Sequence, residues 1–330
     1  MAIQPNAEGL YVAGVDLGGT NVRAVLTDRK GTKLKSARRP SLASGPGSGT
    51  VNQIVEAIQE TLTDQGADAS QLMGVGIGIP GIMDADEGIL FWSPNFPNWS
   101  NREPIGASVG QKLGAPTFII NDARCAALGE LGFGAGRGVK NMIMMTLGTG
   151  IGGGIVLDGK LMLGPQGSIG EIGHHTIDPN GPRCGCGNFG CMEALCGIGP
   201  IKERALRKIQ SGRPTALLSL CGGDFSLIDP KMIGQAADSG DVLAQEVMDE
   251  TGMYIGIGAA NLINILNPER LVIGGGVALA GDTIMNPIRR TIYARAVARQ
   301  RDACQLVLAE LGDDAGVQGA VQLVLSKLPQ

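Results

Sequence analysis

The chain has 330 residues, enough for about two ordinary domains, because single cores rarely grow beyond a few hundred residues. Its 27 Lys and Arg stand against 31 Asp and Glu, a formal net charge of −4 scattered without long single-sign runs. That balance provides no basic footprint for nucleic acid or an anionic membrane, so a small-molecule partner is expected.

The first ten residues have neither a basic nor an apolar segment, and no later stretch has the roughly 18 apolar residues of a spanning helix. The expectation is a protein that is neither secreted nor membrane-bound. Seven cysteines is an odd number, and four of them crowd between Cys184 and Cys196. This suits metal thiolates in a reducing compartment, the cytoplasm, better than a disulfide framework. The 53 glycines, set against 6 Phe, 3 Tyr and 2 Trp, fall in clusters whose positions carry information.

In chain order, a strand over 11–15 runs into Asp16-Leu17-Gly18-Gly19-Thr20 and resumes over 22–26 before a turn near 28–31. A Gly/Ser/Pro loop over 41–50 precedes a helix near 51–63 and the buried-strand run 74–79. A helix near 105–113 leads to a strand over 116–120, which meets Asn121-Asp122 before the helical 123–131. The opening grammar then returns: strand 142–145, Thr146-Leu147-Gly148-Thr149-Gly150, strand 154–157 and a turn at Asp158-Gly159. Leu17-Gly18 and Leu147-Gly148 lie 130 positions apart, which points to two related halves. Helices near 198–210 and 241–266 follow, the second stopped by Asn267-Pro268. A strand over 270–273 then meets Gly274-Gly275-Gly276, and a strand over 305–309 and a helix over 316–327 finish the chain. This alternation is the rhythm of parallel or mixed sheets covered by helices, an α/β class.

Three glycine turns at strand ends offer close-approaching backbone N–H donors of the kind a phosphate chain needs. Taken singly, such a turn is more often a hairpin than a phosphate cradle; three of them, two in matching hairpins, shift the balance toward phosphate. The first adds Asp16, an acidic group for a metal bound to ATP or else a turn cap, with Thr20 and Arg23 after it. His174, Cys184, Cys186 and Cys191 form an H-x9-C-x-C-x4-C array across Pro179, Gly181 and Pro182, which matches a closed tetrahedral zinc site. Four protein ligands leave no open position, so the ion would brace its loop and the flanking Glu171 and Glu193 would be what the loop presents. His175 is read as a neighbour without a role. Asp122 suits either a helix N-cap or a base that accepts a hydroxyl proton. Asn95, in the loop Pro94-Asn95-Phe96-Pro97-Asn98-Trp99, suits either turn chemistry or a sugar hydroxyl.

Together these residues resemble the family of repressors, open-reading-frame proteins and sugar kinases called ROK. The resemblance rests on Asp16 to Thr20 with Arg23, Pro94-Asn95 with Trp99, Asn121-Asp122, and Leu147 to Gly150. It extends to Gly170 to His174, the stretch through Cys191-Met192-Glu193-Ala194, and Gly274 to Gly276. It implies an actin-like ATPase fold whose two ribonuclease-H-like domains flank a cleft, in a homodimer. The domains would be a small one over 1–121, rejoined by about 306–330, and a large one over 122–305 carrying the zinc loop. It also implies roles: Asp122 as base; Asn95, Asn121, Glu171, His174 and Glu193 on a hexose; and Asp16, Gly18, Gly19, Thr20, Gly148, Thr149, Gly150, Gly274, Gly275 and Gly276 on ATP with Mg2+. His174 would present its second ring nitrogen toward the sugar. Cys196-Gly197 departs from the small Ala or Ser run of many members.

The activity implied is phosphorylation of a hexose by ATP, with glucose the expected acceptor. N-acetylmannosamine, fructose and allose kinases share most of the residue set, and polyphosphate is the alternative donor to ATP. Other members are sugar-responsive repressors with a DNA-reading module ahead of this fold; only ten residues precede the first strand here, so an enzyme is expected.

Overall fold

The computed structural model describes residues 9–328. The chain divides into two compact units, one of residues 1–138, 161–169 and 310–330, the other of 139–160 and 170–309. The first unit begins with β1 (Tyr11–Leu17), β2 (Asn21–Asp28) and β3 (Lys33–Pro40), an antiparallel meander. Then come α1 (Gly47–Gln65), β4 (Leu72–Ile79), the small hairpin β5 (Ile82–Asp84) and β6 (Ile89–Trp92), α2 (Ile105–Leu113), β7 (Thr117–Asn121) and α3 (Asp122–Phe133). The sheet order is β3-β2-β1-β4-β7, with β4 parallel to both β1 and β7. In register, Asp16 lies beside Gly78 and Ile79 beside Asn121, so Asp16, Gly18 and Asn121-Asp122 share the carboxyl edge of the parallel strands, where α/β sheets place ligands. Every residue of β4 is buried, as a strand covered by helices on both faces requires.

The second unit repeats this plan. Its elements are β8 (Met142–Leu147), β9 (Ile151–Leu157), β10 (Lys160–Leu161), α4 (Met192–Cys196), α5 (Ile198–Gln210), α6 (Leu217–Leu220), α7 (Pro230–Asp238), α8 (Val242–Leu266), β11 (Arg270–Gly274), α9 (Asp282–Arg295), α10 (Ala298–Ala303) and β12 (Gln305–Leu308). The sheet runs β10-β9-β8-β11-β12, with β8-β9 antiparallel and β8-β11 and β11-β12 parallel. The hairpins β1-β2 and β8-β9 are each joined by three residues, Gly18 to Thr20 and Gly148 to Gly150, so the repeat in the sequence is a repeat of structure. No helix among the described residues is long and apolar enough to cross a membrane.

The last helix, α11 (Ala315–Leu325), returns to the first unit and lies on β1 and β4 through Val317, Ala320 and Val321, all fully buried. It comes so close that a Cβ on Gly76 would stand 1.9 Å from the Ala320 carbonyl oxygen and one on Gly14 2.4 Å from that of Val317. Its other face meets α3, where a Cβ on Gly319 would be 1.7 Å from the Cys125 carbonyl oxygen. Gly319→Ala should therefore force the helices apart and lower the melting temperature by at least about 3 °C, the scale of an overpacked core. Gly199→Ala, on α5 where a Cβ meets nothing within 4 Å, is the control expected not to lower it in a thermal melt.

Candidate active site and metal loop

In the first unit, the turn after β1 is closed by the Gly18 N–H donating to the Asn21 carbonyl at 2.9 Å. Buried Ser41 fastens it, its hydroxyl donating to the Gly19 carbonyl at 2.6 Å. Asn95 sits against this turn: a Cβ on Gly19 would be 3.2 Å from the Asn95 Cβ. Asp16 stands beside the turn with Gly316 of α11 behind it, where a Cβ would come within 2.9 Å of its carboxyl carbon. Burial holds the Asp16 carboxyl above its usual range; Arg23 opposes this, while Asp122 and Asp313 add to it. Arg23 is itself committed to α11's approach, donating to the Asp313 carbonyl at 2.5 Å and to Asp314 Oδ1 at 2.6 Å.

The cap of α3 is Asn121, whose Oδ1 accepts the N–H groups of Ala123 at 3.1 Å and Arg124 at 3.4 Å, and whose Nδ2 donates to the Gly81 carbonyl at 3.4 Å. The helix starts one residue earlier than its sequence suggests, so Asp122 is its first residue and not its cap. There the helix N-terminus favours a carboxylate. Cys125, one turn on and fully buried, has its thiol pushed well above its usual range by burial and then by Asp16 and Asp122.

In the second unit, the turn Gly148 to Gly150 is held from two sides. Glu193 Oε2 accepts the Ile151 N–H at 2.8 Å, and the Ile198 N–H at the start of α5 donates to the Gly148 carbonyl at 3.0 Å. Gly275, at φ 86°, lies against Leu147, whose carbonyl oxygen would be 2.4 Å from a Cβ there. The second and third glycine turns are thus neighbours. Thr149, Gly150, Gly275 and Gly276 are exposed, leaving their backbone approachable.

His174, Cys184, Cys186 and Cys191 converge with their ligand atoms all within 4.8 Å of one another. His174 Nδ1 is 3.6 Å from Cys184 Sγ, and the Cys186 and Cys191 sulfurs are 3.8 Å apart. A tetrahedron with zinc–sulfur bonds of about 2.3 Å has edges of about 3.8 Å, so these donors fit a zinc ion. Burial and the neighbouring Cys186 and Cys184 push the Cys191 thiol up to about 12, whereas the Asn188 N–H holds Cys186 below its usual range. A divalent cation taking thiolates would remove the cost of packing these groups together. The loop closes through Gly190, at φ 64°, where a Cβ would lie 1.5 Å from the Asp178 carbonyl oxygen. Cys191 is the residue before α4, so the metal loop delivers Glu193 directly, with Oε1 3.9 Å from His174 Nδ1. Glu171 is exposed at the start of the short turn that carries His174. His175 points away: Nδ1 donates to the Ile172 carbonyl, and Nε2 is buried near Gly258 of α8.

The sequence pattern of the ROK family matches residues 12–327. The chain belongs to the ROK family. It is 36% identical over 315 residues to a glucokinase of Halalkalibacterium halodurans, covering 95% of this chain and 94% of that one. A ROK family glucokinase from Streptomyces griseus, solved with glucose and AMPPNP, superposes with a TM-score of 0.78 at 34% identity, over 95% of this chain and 98% of that one. A ROK family transcriptional regulator, a homologue of the E. coli MLC protein, has a TM-score of 0.85 at 28% identity, over 97% and 79%. The fold is therefore the actin-like ATPase fold of the ROK sugar kinases.

Sequence reasoning passed over Ser41 and Gly316, which hold the first ROK turn and Asp16; a lone Ser and Gly carry no local signal. The raised carboxyl of Asp16 gives a pH test. Native protein binds the Asp16 proton more tightly than unfolded chain does, so this group's contribution to stability falls as pH rises through its native value. Asp16→Asn should thus melt at a higher temperature than wild type at pH 7 without ligands. The gain should disappear in acid below the ordinary carboxylate range, as differential scanning calorimetry across pH will show.

Proposed function

We propose that this chain is an ATP-dependent hexose kinase that converts glucose to glucose 6-phosphate, with Asp122 as general base. The observation that carries this reading is the placement of Asp16 and Asp122 on the same carboxyl edge of the sheet, with Asn95 against the glycine turn that follows Asp16. Full-length similarity to glucokinases directs the choice of sugar.

Asp122 takes the proton of the sugar hydroxyl as its oxygen attacks the γ-phosphorus, and the bond to the departing ADP oxygen breaks in line with it. The charge of the transition state lies on the three equatorial phosphoryl oxygens, which backbone N–H groups of the glycine turns suit. Asp16 would hold Mg2+, which supplies further neutralisation of phosphate charge. Asn95, Asn121, Glu171, His174 and Glu193 would take the sugar hydroxyls. With Nδ1 turned to the cysteines, His174 has Nε2 for that purpose. Zinc on His174, Cys184, Cys186 and Cys191 would keep the loop in shape, and these free thiols suit the reducing cytoplasm.

A coupled ADP-release assay with Mg-ATP against glucose, mannose, fructose, allose, N-acetylglucosamine and N-acetylmannosamine tests the reading; turnover is expected to be strongest on glucose, and silence on all six would refute it. Asp122→Asn should lower kcat at least about 10²-fold with glucose binding little changed; full activity would remove Asp122 from the mechanism. Elemental analysis should find about one zinc per chain, and Cys184→Ser should lose the metal and melt earlier. Native protein free of zinc would exclude this ligand set.

A further inference from the structure

Glu193 lies on a helix of five residues, too short to hold its own direction, whose last carbonyls have no partner within the helix. One of these, that of Leu195, accepts from Arg204 Nη2 of α5 at 2.8 Å. Arg204 is only 5% exposed. Its Nη1 donates to Thr251 Oγ1 of α8 at 2.9 Å, and that hydroxyl donates onward to the Val247 carbonyl at 2.7 Å. Nε stands 2.9 Å from Glu250 Oε1 with its N–H off the line to the oxygen, an ion pair and not a hydrogen bond. The guanidinium also lies 5.6 Å from the centre of the Tyr254 ring. A second tie runs beside it: Cys196 Sγ donates to the Thr251 carbonyl at 3.7 Å.

The planar fork thus joins the end of the Glu193 helix to the buried face of α8, the longest helix described in this unit, and a lysine's single nitrogen could not present the same two-pronged geometry. We infer that Arg204 is a positioning residue for Glu193: by holding the Leu195 carbonyl against Thr251, it sets the direction from which the Glu193 carboxylate meets the Ile151 N–H and the sugar. This rests on the proposed contact between Glu193 and the hexose.

The test is glucose KM and kcat at saturating Mg-ATP for Arg204→Met, Glu193→Gln and the double variant, with zinc content and melting temperature measured alongside. Arg204→Met should raise glucose KM about tenfold, the effect of losing hydrogen bonds to a charged group, with kcat within about threefold and zinc retained. In the Glu193→Gln background the same change should add less than about twofold, because the two act through one interaction. Thr251→Val removes a single acceptor and leaves the ion pair with Glu250; it should raise KM by about threefold and serves if Arg204→Met does not fold. Unchanged KM in Arg204→Met, or in Thr251→Val where that stands in for it, overturns the positioning role, as does an equal factor in both backgrounds or a fall in kcat alone. If Glu193→Gln leaves KM unaltered, the sugar contact fails and the inference with it; if Glu193→Gln raises KM while Arg204→Met is silent, only the positioning role fails.

Discussion

A methyl group on Gly76 would have its carbon 1.9 Å from the Ala320 carbonyl oxygen, and the same exclusion recurs wherever a helix or turn must meet backbone. At Gly14, Gly129 and Gly319 it lets α11 sit between the sheet and α3; at Gly153, Gly173 and Gly275 it lets turns of the second unit close on β8 and β9. Close packing of backbone on backbone is the constraint from which the rest follows. It fixes α11 tightly enough for Gly316 to back Asp16, and it presses the third glycine turn onto Leu147.

The site is assembled against its own electrostatics. Asp16 is half-buried, its carboxyl raised by desolvation and by neighbouring carboxylates and relieved only in part by Arg23. In the second unit three cysteines crowd one histidine. Both arrangements are costly for the polypeptide alone and are of the kind that a cation of the right hardness relieves, oxygen donors for a hard ion and sulfur for a borderline one.

What the sequence revealed was local. Glycine turns between strands and the spacing of His174, Cys184, Cys186 and Cys191 are each contained within a few tens of residues, and the second hairpin shows itself 130 positions on because it repeats the same short pattern. Asn121 and Asp122 show the limit at short range: either suits a helix start, and only the bonds that Asn121 Oδ1 accepts from the Ala123 and Arg124 N–H groups decide that Asn121 is the cap. Arg204 shows it at long range. On the sequence it is one of two arginines on α5, and although its spacing from Ile201 sets it on the apolar face, nothing there says that Leu195 and Thr251 receive it. The partners of α11 are equally silent, because Gly14 and Gly76 lie far upstream in the chain.

That distance bears on how the protein is made. During synthesis β1 and β4 emerge well before α11, the helix that covers one face of them, with residues 139–309 made in between. The second unit draws on residues 139–160 and 170–309, so its parts are complete while the first unit still waits. The half of the chain translated first is therefore the half that finishes folding last, with an apolar sheet face of Val12, Val25 and Met73 uncovered in the interval. Chaperone capture in the cell and recovery on refolding should centre on that face.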